Sequence, residues 1–113
     1  MKKIEAIIRP EKLEPLKEEL LKAKINGITI NQVSGCGKQL GYTEHVRGTA
    51  ILMNTLPKVE IKIVIPDDKL EETINIICDI AETGNVGDGK IFVTEVVDCV
   101  RIRTRERGNK ALL

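Results

Sequence analysis

Residues 83–93 place Gly84, Gly87 and Gly89, with Asp88 and Lys90, between a helix-like segment and a strand-like one. Such a loop suits an oxyanion. Glycine backbones reach conformations closed to other residues, so several N–H groups can converge on one anion, and Lys90 adds a point charge. The order is helix to strand, the reverse of a Walker-type loop, so backbone amides and cations must hold any phosphate. The same string also describes a helix stop followed by a tight turn, and alone it leaves both readings open. Further cations widen the set. Arg101 and Arg103 stand i, i+2 on an expected strand, which would aim both guanidiniums from one face at a multiply charged ligand. Gly35, Cys36, Gly37 and Lys38 lie at one root of a long connection and Lys58 at the other. The inventory suits a polyphosphate, and no catalytic partner set accompanies it. His45, the sole histidine, reads as a solvated loop residue.

The elements that must position these residues come as a repeat. Ile8, Arg9, Pro10, Glu11, Lys12, Leu13 and Glu14 align with Ile65, Pro66, Asp67, Asp68, Lys69, Leu70 and Glu71 at an offset of 57 (65 − 8), and Gly27 falls on Gly84. In the first half Ile4, Ala6 and Ile8 alternate as a strand, Pro10 opens a helix with Leu13, Leu16 and Leu20 on one face, Gly27 ends it, and residues 28–33 form a second strand. In the second half Val59, Ile61, Ile63 and Ile65 alternate, and Pro66 and Asp67 turn into a helix with the stripe Leu70, Ile74, Ile77, Cys78 and Ala81. Gly84 stops that helix, and residues 91–103 read as one long strand, with alternation loose enough for a bulge. A duplicated βαβ predicts an α+β fold, the ferredoxin-like double βαβ sandwich. Residues 34–58 form a connection far longer than compact domains use, which marks function or disorder. Its apolar run Ala50, Ile51, Leu52 and Met53 reads as strand extension in preference to an exposed contact patch.

At 113 residues, 42% hydrophobic and 31% charged, the chain is one globular domain of ordinary size. Tyr42 and Phe92 are its only aromatics, so the core must be aliphatic, and association between subunits is expected to cover part of that surface. A net charge of +1 gives no case for nucleic-acid or membrane affinity. Cys36, Cys78 and Cys99 are odd in number and widely spaced, which argues against a disulfide framework or a zinc site and for a reducing, cytoplasmic setting. The start of the chain reads as a strand, not a signal-peptide core, and no run approaches a membrane span.

Taken together, residues 83–93 resemble the C-terminal signature of the PII nitrogen-regulatory signal-transduction proteins. Gly35 to Gln39 in sequence, Thr43 with Glu44, Arg47 with Gly48, Leu56, Pro57 and Lys58, and Arg101, Ile102 and Arg103 resemble that family's other landmarks in order and spacing. The resemblance covers essentially the whole chain. It implies a single PII-like domain over 1–113, a homotrimer with ATP or ADP in each inter-subunit cleft, a T-loop at about 37–55, a glycine-rich B-loop at about 83–90 and a C-terminal segment at about 101–113. By the same resemblance Ile7, Thr29 and Val64 flank the base with Gly35, Cys36 and Gly37. Lys38, Gly87, Asp88, Gly89 and Lys90 hold the phosphates, and Arg101 and Arg103 reach across from the adjacent subunit. Family members also bind 2-oxoglutarate beside Mg-ATP, which implies Gln39, Lys58 and Gly87 for the effector and Gln39 for the magnesium or its shell. Ammonium transporters and nitrogen-assimilation enzymes or regulators are the implied protein targets, so a cytoplasmic protein would meet the membrane only through a transporter.

Several positions depart from that pattern. Ile51 stands where many members carry a nucleotidylated tyrosine, so that switch is absent, and Thr49 reads as a plain loop threonine in preference to a phosphorylation site. Val46 replaces another usual tyrosine. Lys62 occupies a common glutamate position near the ribose, which bears on nucleotide preference, and Lys38 replaces a more usual arginine. The competing readings are a PII-like module sensing another small ligand, and a small ATP-dependent phosphotransferase, which would need a base and a metal carboxylate where Asp88 alone is on offer. An RNA-binding ferredoxin-like domain lacks the stacking aromatics it would need.

Overall fold

We describe the protein from a computed structural model over residues 1–25, 27–36, 42–46, 49–53 and 55–112, with 42–46 and 49–53 as backbone only. Strand β1 (Lys2–Ile8) alternates buried Ile4, Ala6 and Ile8 with half-buried Lys3, Glu5 and Ile7. A 3₁₀ turn at Pro10–Lys12 leads into α1 (Leu13–Lys22), which buries Leu16 and Leu20. Strand β2 (Ile28–Gly35) follows, then β3 (Tyr42–Val46), β4 (Thr49–Met53) and β5 (Leu56–Ile65). A second 3₁₀ turn at Asp67–Lys69 opens α2 (Leu70–Ala81), and β6 (Lys90–Glu95) closes the sheet. The main sheet is antiparallel with order β2-β5-β1-β6, as a duplicated βαβ requires, and the repeat reappears element for element. Both helices cover one face. Val59, Ile61, Ile63 and Ile65 meet Ile4, Ala6, Ile8, Leu16, Leu20 and Ile77 there in a wholly aliphatic core. The opposite, helix-free face carries Ile7, Lys58, Glu60, Lys62 and Val64 by strict alternation.

Local details differ from the sequence reading in four places. Helix α1 stops before Gly27: Lys24 takes the left-handed conformation (φ 63°), its N–H bonds to Leu21 O and that of Ile25 to Leu20 O, so a lysine fills the place glycine usually holds in this stop. On α2 the buried residues are Thr73, Ile77 and Ala81, while Cys78 is exposed; the Thr73 hydroxyl is satisfied by Lys69 O at 2.7 Å. The Ala50 to Met53 run is a strand, yet it pairs with β3 in a separate two-stranded ribbon and does not extend the main sheet. Lastly, the expected strand over 91–103 ends at Glu95. Its neighbour β1 begins at Lys2, opposite Glu95, and after Val96 N–H reaches Met1 O no ladder partner remains among the described residues. Residues 102–104 turn instead, closed by a Val100–Arg107 bridge, so Arg101 and Arg103 do not share a strand face.

Candidate functional site

The glycine loop between α2 and β6 is held from inside. Asp88 accepts from Thr83 N–H (2.7 Å) and Gly84 N–H (3.0 Å) at Oδ2, and from the Thr83 hydroxyl and Arg9 Nε (3.1 Å) at Oδ1. Arg9 Nη2 also donates to Val86 O at 3.0 Å. These donors, the Thr83 hydroxyl first, hold the Asp88 carboxyl well below the usual carboxylate range. Gly87 (φ 107°) and Gly89 (φ 103°) need conformations that side chains resist. Gly89 is also fixed by contact, because a Cβ there would lie 1.6 Å from Ile7 O. The loop therefore sits directly on the end of β1, and Lys90 enters β6 opposite Ile7.

Lys58 completes this end. It is 6% exposed, opposite Val33 in the β2–β5 ladder, and its ammonium donates to Gly87 O at 2.6 Å. Burial, with Arg9 nearby, pushes its pKa below the ordinary value, so this cation is held without full hydration. A Cβ on Gly35 would lie 3.4 Å from the Lys58 stem, which places the first root of the long connection against the second.

Two groups of the sequence-predicted residues emerge. Ile7, Gly35, Cys36, Lys58, Gly87, Asp88, Gly89 and Lys90 gather where β1 ends and β5 and β6 begin. Thr29, opposite Lys62, and Val64, opposite Lys3, lie at the other end of the helix-free face, roughly 14 Å away at the usual strand rise. They line a cavity of about 580 Å³. Arg101 bonds Glu106 Oε1 (2.9 Å) and Lys110 O (3.1 Å) in the C-terminal turn, and Arg103 is exposed there. Gly37, Lys38 and Gln39 lie outside the described residues, as do the side chains of Thr49 and Ile51. Sequence reasoning missed Arg9 and Thr83 as loop braces. The signal for Arg9 was available: in the repeat alignment Arg9 and Pro10 stand against Pro66 and Asp67, the mismatched stretch of an otherwise similar motif.

The donor set suits an anion with several charges. Lys58 and Arg9 both donate to the loop of left-handed glycines, Lys90 opens β6 at the loop's end, and Asp88, which would repel a phosphate, has both oxygens engaged. Among the described residues no three His, Cys, Asp or Glu side chains gather as metal ligands, and no helix is long and apolar enough to cross a membrane.

A family model described as Nitrogen regulatory protein P-II matches residues 1–106. The chain is 50% identical over 112 residues to Nitrogen regulatory protein P-II 1 of Methanothermobacter thermautotrophicus, covering 99% of this chain and 97% of that one. Nitrogen regulatory protein P-II of Azospirillum brasilense is 50% identical and Nitrogen regulatory protein P-II 1 of Escherichia coli 46% identical, each over 112 residues, 99% of this chain and 100% of the relative.

Proposed function

Because the chain belongs to the nitrogen regulatory protein P-II family, we propose that it is a non-enzymatic metabolite sensor that binds ATP or ADP together with 2-oxoglutarate and signals to protein targets through its 37–55 loop. The observation that carries this is that Arg9 and Lys58 both bond the glycine loop, which runs into Lys90, at the root of that long connection. The nucleotide's phosphates would lie against the Gly87 to Lys90 backbone, with Lys90 and Lys38 as cations. Thr29 and Val64, too distant on the same subunit, would flank the base from a neighbour in a homotrimer, and Arg101 and Arg103 would reach in from that same neighbour. Exposed Phe92, Val97 and Ile102 supply apolar surface that such association would cover. Gln39 is the residue that would hold magnesium, which would supply positive charge against the phosphates.

Sensing would follow from competition at Lys58. Its ammonium bonds Gly87 O. A 2-oxoglutarate carboxylate would offer a charged acceptor in the same place and draw the lysine, and the β5 root of the long loop with it, into a second arrangement. A target that contacts one arrangement better than the other then reads the metabolite state. Ammonium transporters and nitrogen-assimilation enzymes or regulators fit that role, in the cytoplasm. Isothermal titration calorimetry with Mg-ATP and ADP, each with and without 2-oxoglutarate, tests the reading. Effector binding only beside Mg-ATP is the expected result, and binding of neither nucleotide would overturn it.

A further inference from the structure

The cavity at the Thr29 and Val64 end has an unusual wall. Its apolar lining, which includes Ile25, Val64 and Val96, is rimmed by Lys3, Lys24, Lys62 and Lys69, and among the described residues no acidic side chain belongs to it. It exists because the halves of the repeat are unequal. Five residues (23–27) join α1 to β2, whereas eight (82–89) join α2 to β6 and cover the opposite end of the sheet. The sharp reversal at Lys24 brings that lysine to the cavity mouth, and among the described residues it has no ion-pair partner. The other three are paired, to Glu5 (2.9 Å), Glu60 (3.4 Å) and Glu72 (3.3 Å), but every one of those carboxylates stands outside the wall. Such partly exposed pairs are weak and exchange readily for a better acceptor. At about 580 Å³ the space matches the size of small-molecule sites.

We propose that this cavity selects a ligand whose seated end is itself anionic: a nucleotide phosphorylated on its ribose as well as at its 5′ position. The inference rests on the nucleotide reading above and adds a second charge requirement at the end where Thr29 and Val64 lie. Lys62, on the strand floor opposite Thr29, is the specificity-determining residue, with Lys24 and Lys3 as the other cations in reach. A charge-assisted hydrogen bond from such a lysine corresponds to roughly tenfold in affinity.

The test is calorimetry on the full chain with ADP, ADP carrying a 2′-phosphate and ADP carrying a 3′-phosphate. At least one phosphorylated form should bind roughly tenfold tighter than ADP. Lys62→Glu should bring that ratio to one or below, and Lys62→Gln, which adds no repulsion toward Glu60, should give an intermediate ratio. If ADP binds and neither extra phosphate improves affinity, the inference is wrong while the nucleotide site stands. If none of the three binds, both fail together.

Discussion

Replacing Gly89 by alanine tests the seating of the glycine loop more directly than any charge change. The new Cβ would begin 1.6 Å from Ile7 O and 2.8 Å from Ile7 C, and real contacts do not fall below 3.0 Å, so loop and strand must part by more than an ångström. The residue also keeps φ near 103°, a conformation that costs a non-glycine residue about 1–3 kcal/mol. Parting the loop from β1 loosens the Ile7–Lys90 pairing, at about 1 kcal/mol for each backbone hydrogen bond lost. The sum is about 3–5 kcal/mol. Gly84→Ala is the matched control: φ is 86°, nothing lies within 4 Å of its Cβ, and backbone strain alone predicts about 1–2 kcal/mol. Urea unfolding at one fixed protomer concentration, necessary because association shifts apparent stability, should rank Gly89→Ala well below Gly84→Ala. ADP affinity measured on the folded fraction should fall in the same order. Equal stabilities and equal affinities for the two variants would refute the claim that β1 seats the loop.

Three other outcomes follow from the same geometry. Asp88, held low by Thr83 and then by Arg9 and Gly84, should stabilise the loop above the ordinary carboxylate pKa of 3.8 and lose that contribution only as pH falls through its lowered value; a carboxyl-carbon NMR inflection at or above 3.8 would contradict it. Lys58 runs the other way, since burial lets the folded state release this proton before the unfolded state does, so its contribution to stability rises with pH in the window below 10.5. Lys58→Met should flatten that part of the stability curve and abolish 2-oxoglutarate binding; an unchanged curve would count against the burial argument. Lys90→Ala and Arg103→Ala, both exposed changes, should each weaken nucleotide binding at least tenfold with native size and circular dichroism, and unchanged affinity in both variants would remove the proposed phosphate site.

The parts of the fold legible in the sequence are those whose signal is local. Ile4, Ala6 and Ile8 alternate because one face of β1 is buried, and Leu16 and Leu20 recur because one side of α1 is. The C-terminal segment was misread because β-branched Val96, Val97 and Val100 look like strand while strand formation needs a partner. Past Glu95 the described residues offer no partner strand, and Val97 is left 99% exposed. Ion pairs from Arg101 to Glu106 and Arg107 to Asp98 close the turn instead, and side-chain pairings of this kind leave no periodicity to read. Arg9 was legible only as a mismatch, since its partners lie 77 and 79 residues away.

That mismatch points to how the site arises. In a symmetric double βαβ the two connections from helix to strand would be equal, and the two ends of the helix-free face would be alike. Here the longer helix-to-strand connection (82–89) and the long link from β2 to β5 both leave from the same end of the sheet, where β1 stops. Arg9, Lys58 and Gly89 are the residues that join them: Arg9 ties β1 to the glycine loop, Lys58 ties the root of the long link to Gly87, and Gly89 seats the loop on Ile7. A ligand that displaces one of these bonds acts on both insertions at once. The duplicated frame beneath them, with its aliphatic core on the other face, has no reason to move. On the proposed reading, coupling between ligand and the 37–55 loop would require no change in the fold, only an exchange of acceptors at Lys58.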